Sequence, residues 1–513
     1  MKLCLRILFG VVIGAAALEN APAVTAQEGR LTDPAPDLPR GTYLPPNWLA
    51  DDQFLRWPYP PGDVAYRDLD GFRIKALVNE VTAISRKSRD DGNQYWGRIA
   101  GTEYERMTNA WTEGHFRRLG LEQVRIQEFD LPPQWFPTSW EVTVTDAGRT
   151  TRLTTAFPLY HSVGTSGTVN LEPVWLGMGT AADFADRIVK GKVAILYGFP
   201  NPGGRANTAL TFGALQRAEQ AGAAAVLIIV GFPGNVVNQP QGGAATPPAK
   251  VPVLMLGDQD GRAIRELIER KASPAVRLRL GVEMRRGLKT ANVWGVLPGA
   301  TDEHIALMAH ADAFFEGAMD NASGMATLVA LAEHYAKLPR GQRRRTMTFF
   351  TTFPHHSPSG EQAGISWVHN NMQAMFAKTA LLINLEHTAQ VATYLVGEAF
   401  ITSNQVSARR WYVGGSNRLR DLVLKTFQEY GIALYSRAEG RPGGELSHVY
   451  TDAPSFHIID HTVYHTDMDT LAAVPAYGLE QSARAFAKII DQVNAIDLRD
   501  LRGGPVTNTA SSR

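Results

Sequence analysis

The chain has 513 residues, with 51 Lys and Arg against 50 Asp and Glu, 44% hydrophobic residues and a single Cys. A formal charge of +1 argues against nucleic acid as the main partner, because phosphate binding needs a basic surplus on one face. The hydrophobic content is sufficient for packed cores, and a charged fraction of 20% is too low for a disordered polyelectrolyte. We therefore expect a globular protein of two or three domains.

The first residues have the features of a secretory signal peptide. A basic start precedes an apolar stretch over residues 7–18, and Val24 and Ala26 are small residues of the kind that a signal peptidase needs before its cut. The apolar stretch is shorter than the roughly 20 residues of a spanning helix. We predict that residues 1–26 are removed together with Cys4. The mature chain is then periplasmic or extracellular, without disulfides and without a membrane partner.

The next elements predict a helical segment and a smaller inserted domain. Residues 27–65 are rich in Pro and aromatic residues and predict an extended N-terminal arm. Helical periodicity follows from Leu69 to Gly120, with the second of two helices near 103–119. Short β-like runs mixed with helical patterns then predict a β-rich α/β domain over residues 140–285.

Strands and helices alternate over residues 286–500. The apolar runs NVWGVLPG, IALMAH, TMTFFTTF, ALLINLE and PSFHII predict strands, with helical patterns between them. Such alternation predicts an α/β fold, with a mostly parallel, mixed sheet flanked by helices. Residues 66–139 and 286–500 would form the main domain, and residues 501–513 a disordered tail.

Polar side chains follow the predicted strands. His310 follows IALMA, His355 follows TMTFFTTF, Glu386 follows ALLINL, and His465 comes soon after SFHII. Ligands of such sheets collect at the carboxyl ends of parallel strands. Imidazole and carboxylate groups suit zinc, and an aspartate such as Asp320 is able to bridge two ions through its two oxygens. The sequence therefore predicts a site for one or two Zn²⁺ ions.

The segment HAD adds a residue that supports a ligand. His310 is the predicted ligand, and Asp312 is spaced to accept the other ring N–H of His310. Such a partner fixes the tautomer of the imidazole and raises its basicity.

Several motifs in combination resemble a known family. GRIAGT (97–102), HADAFFEGAMDNASG (310–324) and YHTDMDT (464–470) resemble segments of the co-catalytic zinc exopeptidases, which include bacterial leucyl aminopeptidases and glutamate carboxypeptidase-like enzymes. The resemblance spans residues 66–490 and implies that residues 140–285 are a protease-associated insert. It implies a zinc hydrolase that cleaves a peptide or amide bond, as an aminopeptidase does.

The same resemblance implies a set of metal ligands. One metal would be held by His310, Asp320 and Glu386, where the family has Asp in place of Glu386. The other would share Asp320 and add position 356 and His465.

The largest departure from the family is at its catalytic pair. The family has Glu-Glu, the first residue as general base and the second as metal ligand, where this chain has His355 and His356. His356 is able to give zinc a ring nitrogen, and His355 is able to accept a proton from water. A rival register instead uses Glu361 as the base.

A second departure lies in GGELSH, where the family has Ser-Asp-His near the substrate. Ser447 takes the Asp position and His448 is retained, so His448 is predicted to contact a substrate carbonyl or to stabilise an oxyanion. His387, His457 and His461 are expected to be structural.

Two other functions remain open at this point. Loss of the Glu-Glu pair is compatible with a catalytically silent relative that binds a peptide or a glycan. Adjacent histidines are compatible with a single-zinc acyl transferase resembling glutaminyl cyclase. The sequence assigns neither the substrate nor the oligomeric state.

Overall fold

The computed structural model describes residues 57–199, 207–240, 248–270, 272–396, 399–438, 445–446, 451–459 and 462–503. The predicted signal peptide, most of the N-terminal arm and most of the predicted tail lie outside the described residues. Within the described ranges no helix combines the length and the apolar character needed to cross a membrane.

The strands follow in chain order. They are β1 (Gly97–Arg98), β2 (Glu122–Asp130), β3 (Gln134–Asp146), β4 (Arg149–Arg152), β5 (Phe157–Pro158), β6 (Thr168–Leu171), β7 (Pro173–Trp175), β8 (Val193–Gly198), β9 (Ala225–Val230), β10 (Val253–Leu256), β11 (Ala275–Arg285), β12 (Lys289–Leu297), β13 (Thr301–His310), β14 (Ala313–Phe314), β15 (Arg345–Thr352), β16 (Thr379–Asn384), β17 (Val391–Val396), β18 (Ala399–Val406), β19 (Arg410–Gly414) and β20 (Ser455–Ile459).

The helices alternate with these strands. They are α1 (Gly71–Asp90), α2 (Glu103–Arg118), α3 (Ala181–Phe184), α4 (Thr208–Thr211), α5 (Ala214–Gln220), α6 (Asp258–Glu269), α7 (Gly324–Ala336), α8 (Gly364–Asn371), α9 (Gln373–Phe376), α10 (Asn417–Glu429), α11 (Ala476–Asn494) and α12 (Leu498–Leu501). A π-type turn, Ala318–Ser323, leads directly into α7.

A seven-stranded mixed sheet forms the centre of the fold, in the order β19-β20-β16-β13-β15-β12-β2. Strands β20, β16, β13 and β15 run parallel to their neighbours within this group, whereas β19, β12 and β2 pair antiparallel. The predicted α/β fold with a mixed sheet flanked by helices is confirmed. Three of the six pairings in this sheet are parallel, so it is evenly mixed and not mostly parallel.

Both faces of the central sheet are covered, which explains its nearly continuous apolar strands. On β13, Ile305, Leu307 and Ala309 share a core with α1, α7 and α11. The alternate residues Ala306 and Met308 pack on the other face with α8 and α9. The parallel strands therefore end at one buried edge, from which the loops after β13, β15, β16 and β20 emerge.

Two further sheets lie between β2 and β12 in the chain. One is four-stranded and antiparallel, in the order β4-β3-β11-β6, and the other is five-stranded, in the order β5-β10-β9-β8-β7. They share a core in which Trp140 and Leu278 of the first sheet are clustered with Leu227 and Leu254 of the second. That residues 140–285 are a protease-associated domain stays a prediction, as do the other domain boundaries.

The start of α7 leaves no room for a side chain at Gly324. A Cβ added there would overlap the carbonyl oxygen of Leu385 and Oδ1 of Asn321. Neither group is free to move, because Asn321 Nδ2 donates to the carbonyls of His310, at 3.1 Å, and of Leu385, at 3.0 Å. Gly324 therefore fixes α7 against the ends of β13 and β16.

We expect Gly324→Ala to destabilise the fold by about 1–3 kcal/mol, the usual cost of overpacking. Chemical denaturation measures the free energy of unfolding. The matched control is Gly341→Ala, where an added Cβ meets no atom within 4 Å. Equal stabilities of the two variants would contradict this account of the α7 start.

Candidate metal centre

Asp320 lies at the centre of a buried cluster at the carboxyl edge of the sheet. Its Oδ1 lies 2.9 Å from His310 Nε2, at the end of β13. Its Oδ2 lies 3.5 Å from His356 Nε2 and 3.2 Å from His465 Nε2. The two oxygens of one carboxylate thus face two different sets of imidazoles.

Two sets of donor atoms result, which we name site A and site B. Site A consists of His310, Asp320 Oδ1 and Glu386, whose Oε1 lies 3.8 Å from His310 Nε2. Site B consists of Asp320 Oδ2, His356 and His465, and within each set the donor atoms lie within 4.8 Å of one another. These are the five ligand positions predicted from the sequence, and the structure brings them together.

The spacing of these atoms fits a divalent ion. Donors bound tetrahedrally at about 2.0–2.1 Å lie about 3.3 Å apart, and the separations above range from 2.9 to 3.8 Å. Both oxygens of Asp320 and the Nε2 atoms of His310, His356 and His465 are buried and have no hydrogen bond in the part of the chain that the structure describes. Leaving buried polar atoms in this state costs free energy, and a bound cation removes that cost.

Electrostatics keep the carboxylates of the cluster ionised. Burial alone would raise the pKa of Asp320, but the neighbouring His356 and His310 outweigh it and hold that pKa well below its usual value. Burial would likewise raise the pKa of Glu386, yet its contact with His457 and the other nearby imidazoles lowers it well below the usual value. Both groups are therefore anionic donors at neutral pH, as metal ligation requires.

Asp312 connects the ends of β13 and β15. Its Oδ2 accepts the backbone N–H groups of His355, at 2.8 Å, and of His356, at 2.7 Å. Its Oδ1 lies 3.4 Å from His310 Nδ1. Asp312 thus stands beside the ring nitrogen that the sequence analysis assigned to it, and it also orients the two consecutive histidines.

Two residues outside the predicted set hold Asp320 and His465 in place. Asp469, in the segment YHTDMDT, accepts the backbone N–H groups of Met319, at 2.6 Å, and of Asp320, at 3.0 Å. Gln239, in the unit between β3 and β11, places its carbonyl oxygen 3.1 Å from His465 Nδ1. An N–H at Nδ1 leaves Nε2 as the nitrogen that is able to bind a metal.

The motif GRIAGT contributes a buried cation beneath the loop that carries Asp320. The Arg98 guanidinium is fully buried and donates to the carbonyl oxygens of Ala311, Glu316 and Gly317 at 2.9 to 3.1 Å. It also donates to Ser85 Oγ on α1, at 2.7 Å. Arg98 therefore shapes the loop that joins His310 to Asp320.

His355 has a different exposure from the other histidines of the cluster. Its side chain is 13% exposed, against 0–5% for His310, His356 and His465. Its ring stacks on that of His310, with centroids 4.4 Å apart. His355 also forms a group of possible donors with His310 and His356. The partly exposed position of His355 beside both sites suits a group that exchanges protons with a substrate.

Glu445 is a functional candidate that the sequence analysis missed. Its side chain is fully buried, its Oε1 accepts a hydrogen bond from Thr352 Oγ1 at 2.7 Å, and the same oxygen lies 3.7 Å from His355 Nδ1. Burial raises the pKa of Glu445 to about 8. The available signal was a Glu beside the GG of GGELSH, in a chain that lacks the expected Glu-Glu pair.

Two histidines that the sequence analysis expected to be structural also lie beside the carboxylates of the cluster. His387 Nε2 lies 3.3 Å from Asp320 Oδ1, and His457 Nε2 lies 3.1 Å from Glu386 Oε2. The rival base Glu361 is exposed and outside the groups that converge here, and His448 lies outside the described residues.

The comparisons with known proteins include one family model that covers this site. The family model described as Peptidase family M28 matches residues 292–490, which include every member of sites A and B. This match covers less than half of the chain. The predicted resemblance to the co-catalytic zinc exopeptidases is confirmed, and so is the expectation of a metallopeptidase-like hydrolase. No curated protein matches the sequence.

Solved structures with the same fold extend beyond the family match. A Peptidase M28 precursor from Shewanella amazonensis matches with a TM-score of 0.62 and 17% identity, over 85% of this chain and 100% of that chain. A zinc aminopeptidase from Bacillus subtilis matches with a TM-score of 0.57 and 18% identity, over 85% and 98%. An aminopeptidase from Aneurinibacillus gives 0.56 and 19%, over 84% and 96%. At these identities the matches establish the fold.

We expect Asp320→Ala to weaken metal binding at both sites, because each site takes one oxygen of this carboxylate. His465→Ala should remove the ion of site B alone. Elemental analysis of dialysed protein gives the number of ions per chain. The control is His334→Ala, a histidine that pairs with Asp68 and belongs to neither site. Retention of one tightly held ion by Asp320→Ala would contradict the shared carboxylate.

Proposed function

We propose that this protein is a secreted, zinc-dependent exopeptidase that removes residues from the amino terminus of a peptide. The observation that carries the proposal is the Asp320 carboxylate, whose two oxygens face two donor sets beside the partly exposed His355. The M28 family match supports peptide hydrolysis. The zinc aminopeptidase among the matching folds supports the metal and the type of bond. The signal-like N-terminus supports export.

The donor set suits zinc. His310, Asp320 and Glu386 would hold one ion, and Asp320, His356 and His465 the other, through nitrogen and oxygen atoms that zinc prefers. When bound, zinc supplies Lewis acidity that polarises the scissile carbonyl and lowers the pKa of water.

His355 is the group proposed to move the proton. Burial lowers the pKa of His355 well below its usual value, so the ring is neutral near pH 7 and is able to accept a proton. Its Nδ1 lies toward Glu445, which leaves Nε2 for the substrate side. The attacking water gives a proton to Nε2 as its oxygen bonds to the carbonyl carbon. The same proton then passes to the leaving nitrogen as the C–N bond breaks.

Glu445 is proposed to position His355. A carboxyl group next to Nδ1 orients the imidazole. Once it is ionised, above its pKa of about 8, it also stabilises the positive charge that forms when Nε2 takes a proton. Thr352 holds the carboxyl group from the end of β15. A His and a Glu from distant segments thus replace the single Glu that the family uses as its base.

The zinc-loaded protein is expected to release amino acids from unblocked peptides, and chelation should stop this release. His355→Ala should lower kcat about 100- to 10,000-fold while the metal is retained, because general base catalysis contributes that much. His304→Ala, at the opposite end of β13, is the control. Steady-state kinetics on aminoacyl, N-acyl and glutaminyl substrates make the measurement.

Two outcomes of the same assay would contradict the proposal. Inactivity of the metal-loaded protein on all substrates, with turnover only after both His355→Glu and His356→Glu are introduced, would indicate a silent relative. Cyclisation of glutaminyl peptides without hydrolysis, at one zinc per chain, would indicate the acyl transferase.

Above about pH 8, where Glu445 is ionised, Glu445→Gln should lower kcat and leave KM and the zinc content unchanged, because Glu445 acts on the base and is not a member of either metal set. Glu445→Asp should retain part of the activity. Kinetics combined with metal analysis separate this role from a structural one. A rise in KM with unchanged kcat would instead assign Glu445 to substrate binding.

A further inference from the structure

We propose that His387 is a fourth protein ligand of site A, so that site A is closed while site B keeps a coordination position open. This inference rests on the zinc occupancy proposed above and goes beyond it. It assigns the two ions different roles, one structural and one catalytic. The family ligand pattern has no counterpart of His387, and the sequence analysis treated this residue as structural.

The distances place His387 in the same relation to site A as the proposed ligand His310. His387 Nε2 lies 3.3 Å from Asp320 Oδ1 and 3.8 Å from Glu386 Oε1. The corresponding distances from His310 Nε2 are 2.9 and 3.8 Å. Both imidazoles thus present a nitrogen to the same two carboxylate oxygens. All four separations are near the spacing of about 3.3 Å expected for donors around one tetrahedral zinc ion.

The backbone turns at His387 in the way that it turns at a second proposed ligand. His387 has φ of 49° and His465 has φ of 53°, which is the left-handed region that non-glycine residues rarely adopt. The turn is held in place, since the His387 N–H donates to Asn321 Oδ1 at 3.3 Å and the Thr388 N–H donates to Ser323 Oγ at 3.1 Å. Such conformations cost about 1–3 kcal/mol and concentrate at functional sites.

The side chains that contact the outer oxygen of Glu386 suit a closed site. Its Oε2 accepts a hydrogen bond from Asn384 Nδ2 at 2.8 Å and lies 3.1 Å from His457 Nε2, which leaves Oε1 for the metal. Glu386 is one methylene longer than the Asp of the family. Two side chains from neighbouring strands hold its outer carboxylate oxygen in place. The side chains of His387 and Glu386 are both buried, at 0% and 3% exposure.

With His387 added, site A would have four donor side chains, whereas site B differs in its surroundings and has no such addition among the described residues. Among the described residues it groups three side chains, Asp320, His356 and His465, and the partly exposed His355 stands beside it. Zinc with four protein ligands is typically structural, whereas zinc with three protein ligands keeps a position for water or substrate. The geometry therefore assigns the reacting position to site B and a supporting role to site A.

The test uses the complete purified chain and two metals as probes. Increasing chelator should remove one zinc ion easily and the second only at a concentration about 100-fold higher. Binding one equivalent of Co²⁺ to the metal-free protein should give the strong visible absorption of a tetrahedral site, and the second equivalent should add a weaker band. The cobalt result does not depend on any variant.

Variants test whether His387 binds the tightly held ion. His387→Asn should lose the tight ion about 10- to 100-fold more readily, the loss already seen when only an outer partner of a ligand is removed. His465→Asn should lose the labile ion and keep the tight one. His334→Asn, which lies outside both sites, should behave as the wild type.

The outcomes separate this inference from the proposed function. If the wild type binds two ions but His387→Asn changes neither the chelator profile nor the cobalt absorption, His387 is not a ligand and the proposed hydrolase still stands. If the wild type binds no metal at all, both the inference and the proposed function are wrong.

Discussion

The structure depends on one carboxylate that is shared between two groups of imidazoles. Asp320 is buried, remains ionised because histidines surround it, and presents one oxygen to each donor set. Much of the neighbouring structure serves to hold this side chain. Asp469 accepts the backbone N–H of Asp320, and the next residue, Asn321, donates to the carbonyls of His310 and Leu385. Arg98 donates to the carbonyl of Ala311, in the loop that leads to Asp320. A buried charge of this kind is stable only when partners on all sides compensate for it.

The departures from the family pattern change which side chains carry the charges of the site. Two histidines replace two acids at positions 355 and 356, which removes negative charge from the centre. Glu445 supplies a carboxyl group from a distant segment. This group lies beside His355 Nδ1 and not at the position where the family has its general base. Glu386 extends one methylene further than Asp, and Asn384 and His457 fix its outer oxygen. The site therefore keeps the donor atoms for two ions with a different mixture of imidazole and carboxylate.

The sequence was sufficient to predict five of the seven strands of the central sheet and the residues at its carboxyl edge. Apolar runs identified the strands β12, β13, β15, β16 and β20, and the polar residues after them marked the edge where parallel strands end. Glu445 and His387 escaped prediction for physical reasons. Glu445 belongs to a loop with no periodicity, and the direction of His387 depends on a left-handed turn that side-chain patterns do not reveal. Nor does local sequence reveal that Gln239 reaches His465 across more than two hundred residues.

The most direct test of the central claim is a crystal structure of the zinc-loaded protein, with anomalous diffraction measured at the zinc absorption edge. The account predicts two anomalous peaks per chain, one on each oxygen of Asp320 at about 2.0–2.2 Å, with His310 bound to one ion and with His356 and His465 bound to the other. A single peak that does not contact Asp320, or two peaks bound elsewhere, would contradict it.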